Sequence, residues 1–151
     1  VLAHDLAMPH TPKIINGELY VLLSATGELI KIDRNTGNKE TVVKFDSFVR
    51  GMDVYGEYLF VGLSKLRKNS KTFAKLAGNF TRNEAGIAIL HLPTGSLYGQ
   101  ITYQNSVEEI YDVKVLPNTK RPNIINPMSD ESNMAVSTPD STFWAQKSEN
   151  L

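Results

Sequence analysis

Asn16-Gly17-Glu18-Leu19-Tyr20-Val21 and Tyr55-Gly56-Glu57-Tyr58-Leu59-Phe60-Val61 are two versions of one phrase: a polar glycine turn runs into a short apolar stretch. Asn-Gly supplies the left-handed backbone of a type I′ turn, and the β-branched and aromatic residues that follow favour a strand, so each phrase reads as the centre of a β-hairpin. The two glycines lie 39 residues apart. That is close to the length of one four-stranded unit in a repeated antiparallel sheet.

Working outward, the first phrase completes a unit of four strands: Thr11 to Ile15, Leu19 to Leu23, Leu29 to Ile32 and Lys39 to Phe45. Thr26-Gly27 and Asp33-Arg34-Asn35-Thr36-Gly37 supply the remaining turns. The second phrase does the same with Gly51 to Val54, Tyr58 to Leu63, Gly86 to Leu90 and Leu97 to Tyr103, and its Pro93-Thr94-Gly95 echoes Asn35-Thr36-Gly37 at a distance of 58 residues. The excess over the first repeat distance falls in an inserted basic loop at 64–85, with Lys65, Arg67, Lys68, Lys71, Lys75 and Arg82 among Phe73, Leu76 and Phe80. A third unit opens at Ile110 to Val115, where Asp112-Val113 echoes Asp53-Val54. Beyond Pro117 the recurring prolines predict an irregular tail over 123–151, with edge strands at Ala135 to Ser137 and Thr142 to Ala145. The expected fold is all-β: a propeller-like stack of antiparallel four-stranded blades, about three units in a single domain spanning 1–151, incomplete as a single chain. Such a stack exposes an apolar blade face, so the expected partner is a second copy or the remainder of a longer chain.

Sixteen basic and sixteen acidic side chains leave no net charge, and no field steers nucleic acid. With no cysteine, disulfides and thiolate metal sites are excluded. No apolar run is long enough for a membrane span. Val1 to Met8 lacks the pattern of a signal peptide, and a cytoplasmic protein is expected.

The chemistry-bearing candidates cluster where opening strands would converge. His10 sits between two prolines in Met8-Pro9-His10-Thr11-Pro12 and suits metal binding, proton transfer or a structural hydrogen bond. Arg50 would orient an anion, and Glu108 and Asp112, two apart on one strand face, would act as base or cation ligands. Glu109 and Tyr111 share the opposite face. Asp53 is a further candidate at the same mouth, with a role in holding neighbouring turns as the plainer alternative. Ser24 and Ser64 follow the second strands of their units, but no Gly-x-Ser-x-Gly elbow surrounds either. No His-x-His or His-Glu-x-x-His spacing supports zinc, so no metal site is assigned, and no cofactor is indicated. Asn79-Phe80-Thr81 matches a glycosylation acceptor, a pattern common by chance.

Met8-Pro9-His10-Thr11-Pro12, Leu22 to Leu29, Phe48-Val49-Arg50-Gly51-Met52, Phe60 to Lys65, Gly86 to Ile89, Val107 to Val113, Leu116-Pro117 and Arg121-Pro122 together resemble the DUF4915-type bacterial family of conserved hypothetical proteins. The resemblance covers Met8 to Pro122 and implies a propeller-like fold of which this chain is the C-terminal part or an unusually short relative. Its motif positions correspond to His10, Ser24, Arg50, Ser64, Lys65, Arg67, Glu108, Glu109, Tyr111, Asp112 and Arg121, and it carries no assigned reaction. Three functions therefore stand as expectations. The leading one is a noncatalytic ligand-binding or protein-interaction module. The others are an enzyme or metal-dependent catalyst using His10, Arg50, Glu108 and Asp112 on a small polar or anionic substrate, and a scaffold within an oligomer.

Overall fold

The structure is a computed structural model that describes residues 1–66, 76, 79–82, 84–104, 107–120 and 128, together with the strands at 135–137 and 142–144. Two compact units divide the chain, Val1–Val115 and Leu116–Leu151. The first holds two four-stranded antiparallel sheets. Sheet I runs in the order β1 (Pro9–Ile15), β2 (Glu18–Leu23), β3 (Glu28–Ile32), β4 (Lys39–Lys44). Sheet II runs β5 (Phe48–Tyr55), β6 (Tyr58–Ser64), β7 (Gly86–His91), β8 (Ser96–Thr102). Each is a simple meander whose turns follow the polar and glycine punctuation of the sequence. In the second unit β9 (Ala135–Ser137) and β10 (Thr142–Trp144) pair antiparallel.

The two meanders repeat more strictly than their sequences suggest. Lys13 pairs with Tyr20 and Asp53 with Phe60; Pro9 pairs with Leu23 and Val49 with Leu63. Both comparisons give a repeat of 40 residues, one more than the glycine spacing. The difference arises in the hairpins: Asn16 and Gly17 both have positive φ, whereas the second loop is Gly56-Glu57, closed by Tyr55 opposite Tyr58 with only Gly56 left-handed. Either turn twists in the sense that neighbouring strands require.

Both opening strands carry a β-bulge at the same place, between His10 and Lys13 and between Val49 and Met52. Thr11 and Gly51, also 40 apart, are the left-handed residues of these bulges, with φ of 47° and 68°. A bulge bends its strand and redirects neighbouring side chains. Here it turns the flanking His10 and Arg50.

Alternation explains the core. Leu22 and Leu29 are paired neighbours in sheet I and pack with Val49, Met52, Leu59, Val61, Leu63, Ala88 and Leu90 of sheet II in one buried cluster, with β5 lying against β1 and β2. Burying a leucine of this kind completely is worth about 2 kcal/mol. The intervening residues Val21, Leu23, Ile30 and Ile32 point to the other face of sheet I, where Ala3 and Leu6 of the N-terminal segment cover them. That segment is tied down by Ser24 N–H to Met8 O at 3.0 Å and Ala25 N–H to Ala7 O at 3.3 Å. The run Leu19 to Leu23 is thus apolar throughout because it is covered on both sides.

The expected third opening strand, Ile110 to Val115, forms no ladder with any described residue. It crosses sheet II instead, against Gly51 and Gly62: a Cβ on Gly51 would fall on the Asp112 backbone, and one on Gly62 would meet the Ile110 side chain. Glycine at both positions permits this close approach.

Candidate functional site

Segment 107–115 is fastened to β5 and β6 at three levels. Lys65 N–H donates to Glu108 O at 2.8 Å, continuing beyond the end of β6. The Ser64 hydroxyl donates to Ile110 O at 3.1 Å and accepts from Ile110 N–H at 2.9 Å, so one side chain satisfies both backbone groups of that residue. Farther along, Val115 N–H donates to Asp53 Oδ2 at 2.8 Å. Asp53 Oδ1 meets Lys13 Nζ of β1, within an ion pair whose side chains are 15% and 25% exposed. Asp53 therefore stands between β1 and segment 107–115 and holds both. Lys13 and Asp53 occupy equivalent positions of the two repeats, and their opposite charges link those repeats.

The Asp53 carboxyl lies below its ordinary value of 3.8. Burial alone would raise it, but the donors from Lys13, Val115 and Val54 favour the carboxylate and together outweigh burial.

Above this latch, at the bulged ends, five candidates come together: His10, Arg50, Glu109, Tyr111 and Asp112. The Arg50 guanidinium lies over the Tyr111 ring at 4.4 Å from its centroid and 6.0 Å from that of Phe48, and Nη1 stands 3.4 Å from Glu109 Oε2. Ring face and carboxylate thus hold one arginine from the same face of segment 107–113, as alternation predicts for Glu109 and Tyr111. His10 Nδ1 accepts from Gly51 N–H at 3.4 Å and lies 2.6 Å from Thr11 Oγ1. Its pKa falls below 6.5, first because burial penalises the cation, then because Arg50 is near; Asp112 opposes both. His10, Arg50 and Asp112 consequently share one electrostatic neighbourhood.

The other candidates divide. Glu108 is exposed and contributes its carbonyl, while Glu109 supplies the carboxylate beside Arg50. Ser24 is buried at the position equivalent to Ser64, yet its hydroxyl finds no partner among the described residues. Arg67 and Arg121 lie outside the described residues, as do Lys68, Lys71, Phe73 and Lys75 of the insertion. The insertion's far end returns to sheet I: Asn79 Nδ2 donates to Ala25 O at 3.1 Å, and Thr81 bonds Asp46 through both its N–H and its hydroxyl. The amide nitrogen of the glycosylation-like triplet is therefore engaged. His91 ends the interior strand β7, paired with Tyr58 and Ser96, and its ring lies 2.9 Å from Thr94 Oγ1 and 3.6 Å from Glu57.

Sequence reasoning passed over Lys13, Thr11 and Gly62. A lysine just before Ile14-Ile15 in the opening strand, 40 residues before an aspartate, was the available signal for the first. Among the described residues no three His, Asp or Glu side chains form a metal cage, and no helix is long and apolar enough to cross a membrane. Two concavities between the sheets, of about 260 and about 440 Å³, are lined by neither His10 nor Arg50.

Fold and site define an all-β repeat protein whose polar residues gather where its opening strands meet. The chain belongs to the family described as Domain of unknown function (DUF4915), which matches residues 1–125. A comparison with curated proteins finds no match.

Proposed function

We propose that this chain is a noncatalytic binding module built from propeller-like blades, which takes a small anionic or polar ligand at the cluster of His10 and Arg50. One observation carries the reading: Gly51 N–H donates to His10 Nδ1. A backbone N–H can only donate, so we assign Nδ1 as an acceptor, with the Thr11 hydroxyl 2.6 Å away donating to the same nitrogen, and place the proton of the neutral ring on Nε2. The depressed pKa keeps that form at neutral pH. His10 then offers an N–H donor where a general base would need a free lone pair, and Arg50 beside it offers a guanidinium. Two donors on neighbouring strands suit recognition of an oxyanion better than proton abstraction.

The acidic residues support the same reading. Asp53 and Glu109 are engaged with Lys13 and Arg50, and Asp112, the third carboxylate nearby, accepts from Val113 N–H at 2.9 Å and lies 3.6 Å from Lys114 Nζ. A further element of the proposal is that segment 107–115, which lacks a ladder partner among the described residues, opens a third blade completed by further repeats.

The test is a nuclear magnetic resonance titration of the imidazole signals with inorganic phosphate and with citrate, alongside thermal unfolding. The expected result is a saturable His10 shift and a raised Tm, both lost in Arg50→Gln. No His10 shift with either anion, or shifts that persist in Arg50→Gln, would overturn the ligand reading.

A further inference from the structure

The two edge strands on the outer side of the sheets differ in a way that bears on association. β4 reads Lys39-Glu40-Thr41-Val42-Val43-Lys44, with a lysine at each end and Glu40 paired to Lys31 at 3.3 Å. Charged edges of this kind repel a second strand. β8 and its next residue read Ser96-Leu97-Tyr98-Gly99-Gln100-Ile101-Thr102-Tyr103, with no charge and no proline. Its large apolar side chains are outside: Leu97 is 55% exposed, Tyr98 73% and Ile101 49%. Among the described residues each sheet ends in such a strand, but only that of sheet I is guarded by charge.

The backbone of β8 also has the right parity to pair with itself. Tyr103 N–H donates inward to Ala85 O at 2.9 Å. Because successive residues alternate, Ile101 also faces inward while the N–H and C=O groups of Gln100 and Thr102 face out. A two-fold axis through Ile101 would place Gln100 opposite Thr102 of a second copy and close four backbone hydrogen bonds. Ile101 would meet its own copy in a non-hydrogen-bonded pair, where side chains approach most closely. Gly99 has open space where a side chain would stand, and the same register sets Tyr103 of the other copy across it.

We propose that β8 is a homodimerisation edge, pairing antiparallel with β8 of a second copy about Ile101. The surface is independent of the His10 and Arg50 ligand site, so either proposal can fail alone.

Sedimentation velocity over a concentration series tests it. The wild-type chain is expected to dimerise, and Ile101→Lys, which sets two like charges face to face, weakens the dimer at least about thirtyfold. The natural absence of cysteine makes a second variant clean. Ile101→Cys is expected to form a disulfide-linked dimer on mild oxidation, whereas Thr41→Cys on β4 stays monomeric. A monomeric wild type, an Ile101→Lys variant that dimerises as the wild type does, or cross-linking through Thr41→Cys and not Ile101→Cys would each overturn the proposal.

Discussion

Replacing Asp53 with alanine removes the residue that joins β1 to segment 107–115, and its cost can be built from the contacts. The Val115 N–H donates to a charged acceptor, a bond worth about 2 kcal/mol. The Lys13 pair is mostly but not wholly shielded from water, which places it near the upper end for exposed pairs, about 1 kcal/mol. Asp53→Ala should therefore destabilise by about 3 kcal/mol and lower Tm by about 6–12 °C. Urea unfolding followed by circular dichroism measures this, and a double-mutant cycle with Lys13→Met isolates the pair. The pH dependence carries a second signature. Unfolded Asp53 titrates at 3.8 and the folded residue lower, so its contribution is complete above 3.8 and disappears as the pH falls through the folded value. Wild type and Asp53→Asn should accordingly converge in acid. A coupling below about 0.3 kcal/mol, or a difference between the two that does not change with pH, would refute the latch.

Other substitutions probe the same frame. Ser64→Ala should cost about 2 kcal/mol, because both backbone groups of Ile110 lose their partner, while Ser24→Ala at the equivalent position should stay within about 0.5 kcal/mol; chemical denaturation distinguishes them. Gly51→Ala combines a left-handed φ with collision against the Asp112 backbone and should cost about 3 kcal/mol or more, and hydrogen exchange at Val113 and Val115 should accelerate. Gly17→Ala, with open space around its Cβ, should cost only about 1 kcal/mol. The His10 imidazole should titrate below 6.5, rising in Arg50→Gln and falling further in Asp112→Asn, as followed by proton resonances. Since unfolded His10 takes up its proton at 6.5 and the folded residue only at lower pH, its contribution to stability is full above 6.5 and lost as the pH falls toward the folded value.

Much of the architecture was legible because strands and turns are local. Asn16-Gly17, Thr26-Gly27 and Thr94-Gly95 mark turns by backbone preference alone, and the observed strands begin or end within a few residues of the apolar runs between them. The repeat length was read one residue short because aligned glycines occupy different positions in the two hairpin loops. The convergence of His10, Arg50 and Asp112 followed from placing opening strands side by side. Which glutamate serves Arg50 did not, since Glu108 and Glu109 are neighbours in sequence and only the packing of segment 107–115 against β5 selects between them.

By itself the sequence determined an all-β chain of repeated hairpins with a polar cluster near the opening strands, because alternation and turn chemistry depend on neighbours a few residues apart. Only tertiary structure decided that Lys13 and Asp53 pair, that Ser64 finds partners while Ser24 finds none among the described residues, and that His10 lies against the Gly51 N–H. Those outcomes depend on bulges at Thr11 and Gly51 and on how strands far apart in the chain are brought into contact.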